Sequence, residues 1–427
     1  MTRVVTTLGG NALVRSGYKA AAMVCDPCGI GTGGTPYYKA ADGVLYGSFA
    51  AMVADGKATC TRASTGYAMT REGTLVGFAS GVARESNNGL LVETATANRL
   101  VQSQTLDSAS WTKQGSTTIT ADSMIAPDGT MTADVVNSFA SGQGVLQSGA
   151  CAANTVYTMS AYVCAAGANA ATSILLRDAG GTSGHQVSVN PVTGVVSAPV
   201  NVTSYGSIAL ANGWFRVWVT YTTDVGQTTF MLNPQLNQTP GSSLSWGMWG
   251  LQVETGMVAA SYVTTTTAAA TRPADLLIVT GLTATLANPF TMMVDVDMAA
   301  FDAASRSFLQ VHDGGNNNRV LAVRTSADAV SVIVTAGGVA QGTAQLINGY
   351  TGARRVKVAA VLDVASYISA IDAVLGTTQT GITRPTGMSV CTLAANGTGS
   401  VGLRGYVRRA VIWPSILADS QLSALTV

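Results

Sequence analysis

Val156-Tyr-Thr-Met-Ser-Ala-Tyr-Val163 and Phe215-Arg-Val-Trp-Val-Thr-Tyr221 alternate with a period of two and are rich in β-branched and aromatic residues. Successive side chains of an extended strand point to opposite faces, so such runs read as β-strands with one face in a core. Val330-Ser-Val-Ile-Val334 and Val356-Lys-Val-Ala-Ala-Val-Leu362 repeat the pattern, and Gly, Asn and Pro punctuate the intervals as turns. No stretch sustains a helical period. The best helix candidate follows Pro414 and ends in Gln421-Leu-Ser-Ala-Leu425, with Asp419 as the cap of a single turn. The expected fold class is all-β, with two tandem antiparallel β-sandwich (jelly-roll) domains.

Composition narrows the function. Only 11% of the 427 residues are charged, and the net charge is +1, against about 25% charged in typical globular domains. No electrostatic argument for nucleic acid or for an anionic membrane exists at this balance. A near-zero net charge favours association, so the chain is expected to sit in an assembly. No window approaches the ~20 apolar residues of a membrane helix. The first residues lack an apolar signal core, which implies synthesis in the cytosol without export.

Segment boundaries follow from residue type. Thr264-Thr-Thr-Thr-Ala-Ala-Ala-Thr-Arg-Pro273 reads as part of a linker at 264–274 between sandwiches at 101–263 and 275–427. Residues 61–100 form a β-rich connector. Residues 1–60, which include Gly29-Ile-Gly-Thr-Gly-Gly34, show no core of their own and read as an extended attachment and oligomerisation segment.

Gly405-Tyr-Val-Arg-Arg-Ala-Val-Ile-Trp-Pro414, preceded by Phe308-Leu-Gln-Val-His-Asp-Gly-Gly-Asn-Asn-Asn-Arg319, Arg354-Arg-Val-Lys-Val-Ala-Ala360 and Arg384-Pro-Thr-Gly-Met388, resembles the laminin-G-like (concanavalin A-like) jelly roll that ends many bacteriophage virion proteins. A second set of blocks is similar to phage head and tail spike proteins with a carbohydrate-binding-module-like jelly roll. It comprises Thr61-Arg-Ala-Ser-Thr-Gly-Tyr67, Gly89-Leu-Leu-Val-Glu93, Asn98-Arg-Leu100, Trp111-Thr-Lys113, Gly213-Trp-Phe-Arg216, Trp249-Gly-Leu-Gln-Val-Glu254 and Thr271-Arg-Pro-Ala-Asp275. Cys164 stands where that family often has a basic residue. The resemblance implies a structural component of the virion: a head or tail spike, fibre or capsid decoration protein, made in the host cytoplasm. It further implies a homotrimer bound to capsid, collar or tail proteins and touching host surface glycans. Two alternatives remain, a bacterial surface glycan-binding adhesin and a polysaccharide depolymerase.

Residues that carry chemistry are few. Cys25-Asp-Pro-Cys28 has zinc-knuckle spacing but only Cys60 nearby, short of four ligands. These three cysteines are therefore candidates for structural or inter-subunit disulfides. His185, in a Gly-Thr-Ser-Gly turn, and His312, at a strand end, have no nucleophile elbow beside them and read as structural or solvated. Glu93, Glu254, Asp295 and Asp297 are the carboxylates available to a glycosidase. Asp295 and Asp297 share one strand face about 7 Å apart, as a solvated edge also would. Catalytic residues, metal and cofactor are accordingly expected to be none. For glycan binding the candidates are Trp246 and Trp249, as stacking surfaces, and Asp313, Asn316, Asn317 and Asn318 in an Asx-rich turn. Asp313 is also a weak calcium candidate.

Overall fold

The computed structural model describes residues 18–30, 34–240, 242–299, 304–342, 346–350, 352–397 and 401–427. It is an all-β protein of antiparallel sheets that divides into two compact units. The first comprises residues 1–65, 78–95 and 273–427; the second comprises 66–77 and 96–272.

The first unit is a sandwich of an eleven-stranded and an eight-stranded sheet. Strand Phe290–Met298 is central in the larger sheet, paired on one side with Arg354–Leu362 and on the other with Gly405–Trp413. Its even-numbered residues Phe290, Met292, Val294 and Val296 fill the core, while Asp295 lies on the other face. The helix after Pro414 spans Asp419–Leu425 and buries Leu422 and Leu425. Ala418 takes the cap position and Asp419 the first turn, where a carboxylate favours the helix dipole.

The described residues of the expected attachment segment, and part of the connector after it, belong to this sandwich. Met23–Asp26 pairs with Gly405–Trp413, Ala58–Thr61 with Leu276–Val279, and Gly89–Val92 with the start of Gly405–Trp413. Met23, Cys25, Tyr38, Phe49, Met52, Leu90 and Val92 share one core with Leu277, Phe308 and Val332. The N-terminal strands have two to four residues each, too few for a visible period, and they find their core in segments some 200 to 400 positions downstream. Residues 1–17 and 31–33 of the proposed segment lie outside the described residues.

The second unit stacks a six-stranded sheet on a seven-stranded one. Val156–Ala165 and Phe215–Thr222 pair in register from Val156↔Thr222 to Val163↔Phe215. Tyr157, Met159, Ala161, Val163, Val217, Val219 and Tyr221 face the core with Ile174, Val187 and Phe230. Strand Leu244–Thr255 carries a bulge: Gln252 pairs with Ser160 but Trp249 with Tyr162. Gly250 sits in the bulge at φ +60, where an added Cβ would lie 2.9 Å from the Tyr162 ring, so only glycine fits.

The expected 264–274 linker is also corrected. Ala270–Arg272 pairs with Thr96–Asn98, Thr265 N–H donates to Ser103 Oγ at 2.9 Å, and Thr265 and Arg272 are buried. A run of small polar residues suggested little burial, but backbone pairing, which composition does not report, ties it to the second unit.

Candidate functional site

The carboxylates available to a depolymerase are all engaged. Arg355 grips Asp295 with Nε at 2.6 Å and Nη2 at 2.5 Å, and Arg408 holds Asp297 at 2.7 Å. Asp295 is fully buried on a central strand, which corrects the expectation of a solvated edge. Glu93 accepts from Arg84 at 2.6 Å in a buried pair. Glu254 accepts from Thr96 Oγ1 (2.6 Å), Gln252 Nε2 (2.8 Å) and Ala260 N–H (2.9 Å), and its burial raises its pKa.

The aromatic candidates are corrected as well. Trp246 and Trp249 are both 0% exposed. Three positions apart on a regular stretch of the strand, they fall on opposite faces: Trp246 points into the inter-sheet core and Trp249 to the outer sheet face. There Trp249 packs with Tyr162, Trp214 and Tyr262, at 4.7 Å between the Trp249 and Tyr262 ring centres, and its Nε1 donates to Thr132 at 3.0 Å. Neither indole offers a face to a sugar.

Asp313–Asn318 links strands Arg306–His312 and Arg319–Arg324 as the expected turn. Asp313 Oδ1 accepts from Gly315 N–H at 2.9 Å and Oδ2 from Asn318 Nδ2 at 2.9 Å; Asn316 Oδ1 accepts from Arg319 at 2.9 Å. Asn318 Oδ1 accepts from Gly337 N–H at 3.1 Å, and the Asn317 carbonyl from Gly338 N–H at 2.9 Å. These oxygens close the turn on itself, and Asp313 is its one carboxylate. His312 Nδ1 accepts from Gly314 N–H at 3.1 Å while Nε2 meets Thr392 Oγ1 at 2.8 Å; burial lowers its pKa, so the ring is neutral.

None of the six cysteines is joined to another within the chain. Cys25 is 1% exposed within the first unit's core, and burial pushes its pKa up; an inter-subunit bond from it would require opening that core. Cys28 and Cys60 are half-buried.

The structure assembles a cleft elsewhere. Ser183, His185, Pro199, Asn201, Val202, Thr203, Thr222 and Asp224 enclose about 430 Å³ at one end of the second unit. Three connections supply the walls: the turn entering strand His185–Val189, the passage from Val196–Val200 to Ser204–Ala209, and the exit of Phe215–Thr222. Asn201 has φ +50, a left-handed conformation that Asn tolerates well, and its Nδ2 donates to the Ser183 carbonyl at 2.7 Å. Gly181 passes so close that an added Cβ would stand 2.4 Å from Asp224 Oδ2.

His185 and Asp224 are the centre of the cleft. The His185 ring stacks on Tyr221, centres 4.8 Å apart, and is 3% exposed. Its Nδ1 lies 2.7 Å from the Asn201 carbonyl, so Nδ1 is the donor there. Nε2 faces Asp224 Oδ1 at 3.5 Å, beyond ordinary hydrogen-bond length, and has no hydrogen-bond partner. Asp224 Oδ2 accepts from Ser183 N–H at 2.8 Å and Thr182 Oγ1 at 3.2 Å, and these bonds hold its pKa down to about 2. Behind it, Asp224 N–H donates to Gln227 Oε1 at 3.0 Å and Gln227 Nε2 to buried Asp178 at 2.8 Å. Although Ser183, His185 and Asp224 are triad residue types, Ser183 meets the aspartate through its backbone N–H and His185 Nε2 bonds no hydroxyl, so the triad arrangement is not formed.

Sequence reasoning placed His185 in a turn and passed over Asp224, Asn201 and Thr203. One signal was present: no Asp, Glu, Lys or Arg occurs from Ala179 to Phe215, so His185 is the one ionisable group that those two connections bring to the cleft.

No family model matches the chain, and no curated protein matches it. Among solved structures, the CBM40 of the Ruminococcus gnavus IT-sialidase bound to α2,3-sialyllactose is similar at 19% identity over 34% of this chain and 85% of that one, with TM-score 0.28. The leech intramolecular trans-sialidase complexed with 2,7-anhydro-Neu5Ac is similar at 14% identity over 34% of this chain and 24% of that one, with TM-score 0.28. The binding domain of botulinum neurotoxin DC in complex with rat synaptotagmin II is similar at 13% identity over 36% of this chain and 40% of that one, with TM-score 0.27. At scores and identities this low the likenesses carry no argument about function.

Proposed function

We propose that the protein is a virion component of a bacteriophage, a spike, fibre or decoration subunit, whose second unit binds a host surface glycan. The observation that carries the glycan part is the cleft: an open recess of about 430 Å³ walled by hydroxyl, carboxamide, imidazole and carboxylate groups, with Pro199 and Val202 as apolar surface. Its volume is within the range of small-ligand sites, and a sugar ring presents both hydroxyls and an apolar C–H face. The virion part rests on the ordered sequence blocks and on the low charge, which suits a subunit covered by copies of itself and by neighbouring virion proteins. Association as a trimer belongs to the same proposal.

A bacterial surface adhesin would use the same cleft equally well. A cryo-EM map of phage particles from the source, searched for this chain, separates the two: density for it on head, collar or tail supports the virion role, and intact particles without it remove that role. For the cleft, the full chain is titrated with host surface polysaccharide by calorimetry. Saturable binding that Asp224→Ala abolishes is expected; no binding, or binding indifferent to that substitution, rejects the site.

A further inference from the structure

We infer that the cleft selects uncharged, hydroxyl-rich pyranoses and rejects acidic sugars. This rests on the glycan-binding role proposed above and names the ligand class.

The selection comes from what the walls contain and lack. Asp224 is the one carboxylate among the eight lining residues, and none of them is Lys or Arg. The two connections bearing Ser183 to Thr203 belong to the stretch without any Lys or Arg. A sugar carboxylate entering here would meet Asp224 with no cation to pair it, and like charges at close range in a partly desolvated recess repel strongly. Ser183 N–H and Thr182 Oγ1 are already committed to Asp224 Oδ2 and are not free to receive a second anion.

Hydroxyl groups fit where an anion does not. Asp224 Oδ1 and His185 Nε2 stand 3.5 Å apart without a hydrogen bond between them, and the imidazole is 3% exposed. A buried polar atom left without a partner is costly, so a ligand that supplies one gains affinity. Adjacent pyranose hydroxyls each donate or accept. One donates to Oδ1 while its neighbour donates to Nε2, the acceptor nitrogen of an imidazole whose Nδ1 proton goes to the Asn201 carbonyl. A carboxylate oxygen accepts only and leaves Oδ1 unsatisfied. The Asp178–Gln227 pair holds the Asp224 backbone N–H, and Ser183 N–H and Thr182 Oγ1 hold its carboxylate, so the geometry exists before ligand arrives.

The test titrates the full chain by calorimetry and saturation-transfer NMR with lactose, cellobiose and N,N′-diacetylchitobiose as neutral probes, and with 3′-sialyllactose and a hyaluronan tetrasaccharide as acidic ones. At least one neutral probe is expected to bind about tenfold or more tightly than either acidic probe. That binding should be lost in Val202→Trp, which fills the cleft from a partly exposed wall position, with circular dichroism and melting unchanged. Val202→Arg should narrow the neutral-over-acidic preference by adding a cation. Acidic probes that bind as tightly as neutral ones, with binding lost in Val202→Trp, would overturn the selectivity and leave the cleft as a glycan site. If no probe binds, or if binding survives Val202→Trp, the glycan role of the cleft fails, and the selectivity with it.

Discussion

Arg62 donates to Asp275 at 3.0 Å across 213 positions of sequence, with both side chains buried. Arg84 shares the same carboxylate and reaches Glu93 at 2.6 Å, and the Glu93 N–H donates to Asp275 at 2.9 Å. Residues far apart in sequence, around Arg62, Arg84–Glu93 and Asp275, thus meet in one buried ion network of the first unit. Asp275→Ala leaves Arg62 without a carboxylate and Arg84 with Glu93 alone, and breaking a buried pair from one side costs about 3–5 kcal/mol. Trp413 is the one tryptophan of that unit, so a variant keeping only it reports the unit's urea transition. An unshifted midpoint in Asp275→Ala would remove the network's structural role.

Trp246→Ala and Trp249→Ala should each destabilise the second unit by about 3–5 kcal/mol, as large aromatic deletions from a core do. Trp249→Phe keeps one aromatic ring and loses the Nε1 bond to Thr132 and the volume of the second ring, so it should cost less than Trp249→Ala. None should alter sugar affinity in molecules that remain folded. Calorimetric unfolding and glycan titration on the same samples check both statements; a selective loss of binding without loss of stability would restore the stacking role.

The contrast between these two tryptophans shows where legibility ended. The strands at Val156, Phe215 and Val356 were readable because each runs seven or more residues with one apolar face. Trp246 and Trp249, three positions apart, fall on opposite faces by period two, but that period does not say that the outer face is covered as well, here by Tyr162, Trp214 and Tyr262. The N-terminal strands were too short for periodicity. The cleft was hidden for another reason: Ser183, Asn201, Thr203 and Asp224 are ordinary turn residues, and only pairing of distant strands brings three connections to one end of the unit.

Asp134 gives a pH signature in the second unit. Its oxygens accept from Leu106 N–H at 2.6 Å and Asp122 N–H at 2.9 Å, yet burial outweighs these bonds and pushes its pKa up to about 6. An acid whose folded pKa exceeds its unfolded one holds its proton longer in the native state, so its contribution to stability falls as pH rises from about 4 to about 6. Wild type should therefore lose stability relative to Asp134→Asn across that window and run parallel to it above pH 7. Melting curves at half-unit pH steps test this; a difference that rises with pH reverses the sign.

Removing the first 99 residues should unfold the first unit while leaving much of the second. The expected attachment segment supplies Met23, Cys25, Tyr38, Phe49 and Met52 to the core, and the connector after it supplies Leu90 and Val92, all buried, together with Arg62, Arg84 and Glu93 of the ion network. Its strands also cover the free side of Gly405–Trp413 and of Leu276–Val279. Deletion would expose both apolar faces and two unpaired strand edges, a template for aggregation. The second unit loses only residues 66–77, which lend Leu75 to its outer aromatic cluster, and strand Thr96–Asn98, whose partner Ala270–Arg272 is left unpaired. Amide NMR of the 100–427 chain should accordingly show native dispersion for the second unit and none for the first. Supplying residues 1–95 in trans should restore the missing resonances, because complementary strands and charges are what the deletion removed. A truncated chain with both units folded would show that residues 1–99 only decorate a self-sufficient sandwich, as the sequence pattern alone suggested.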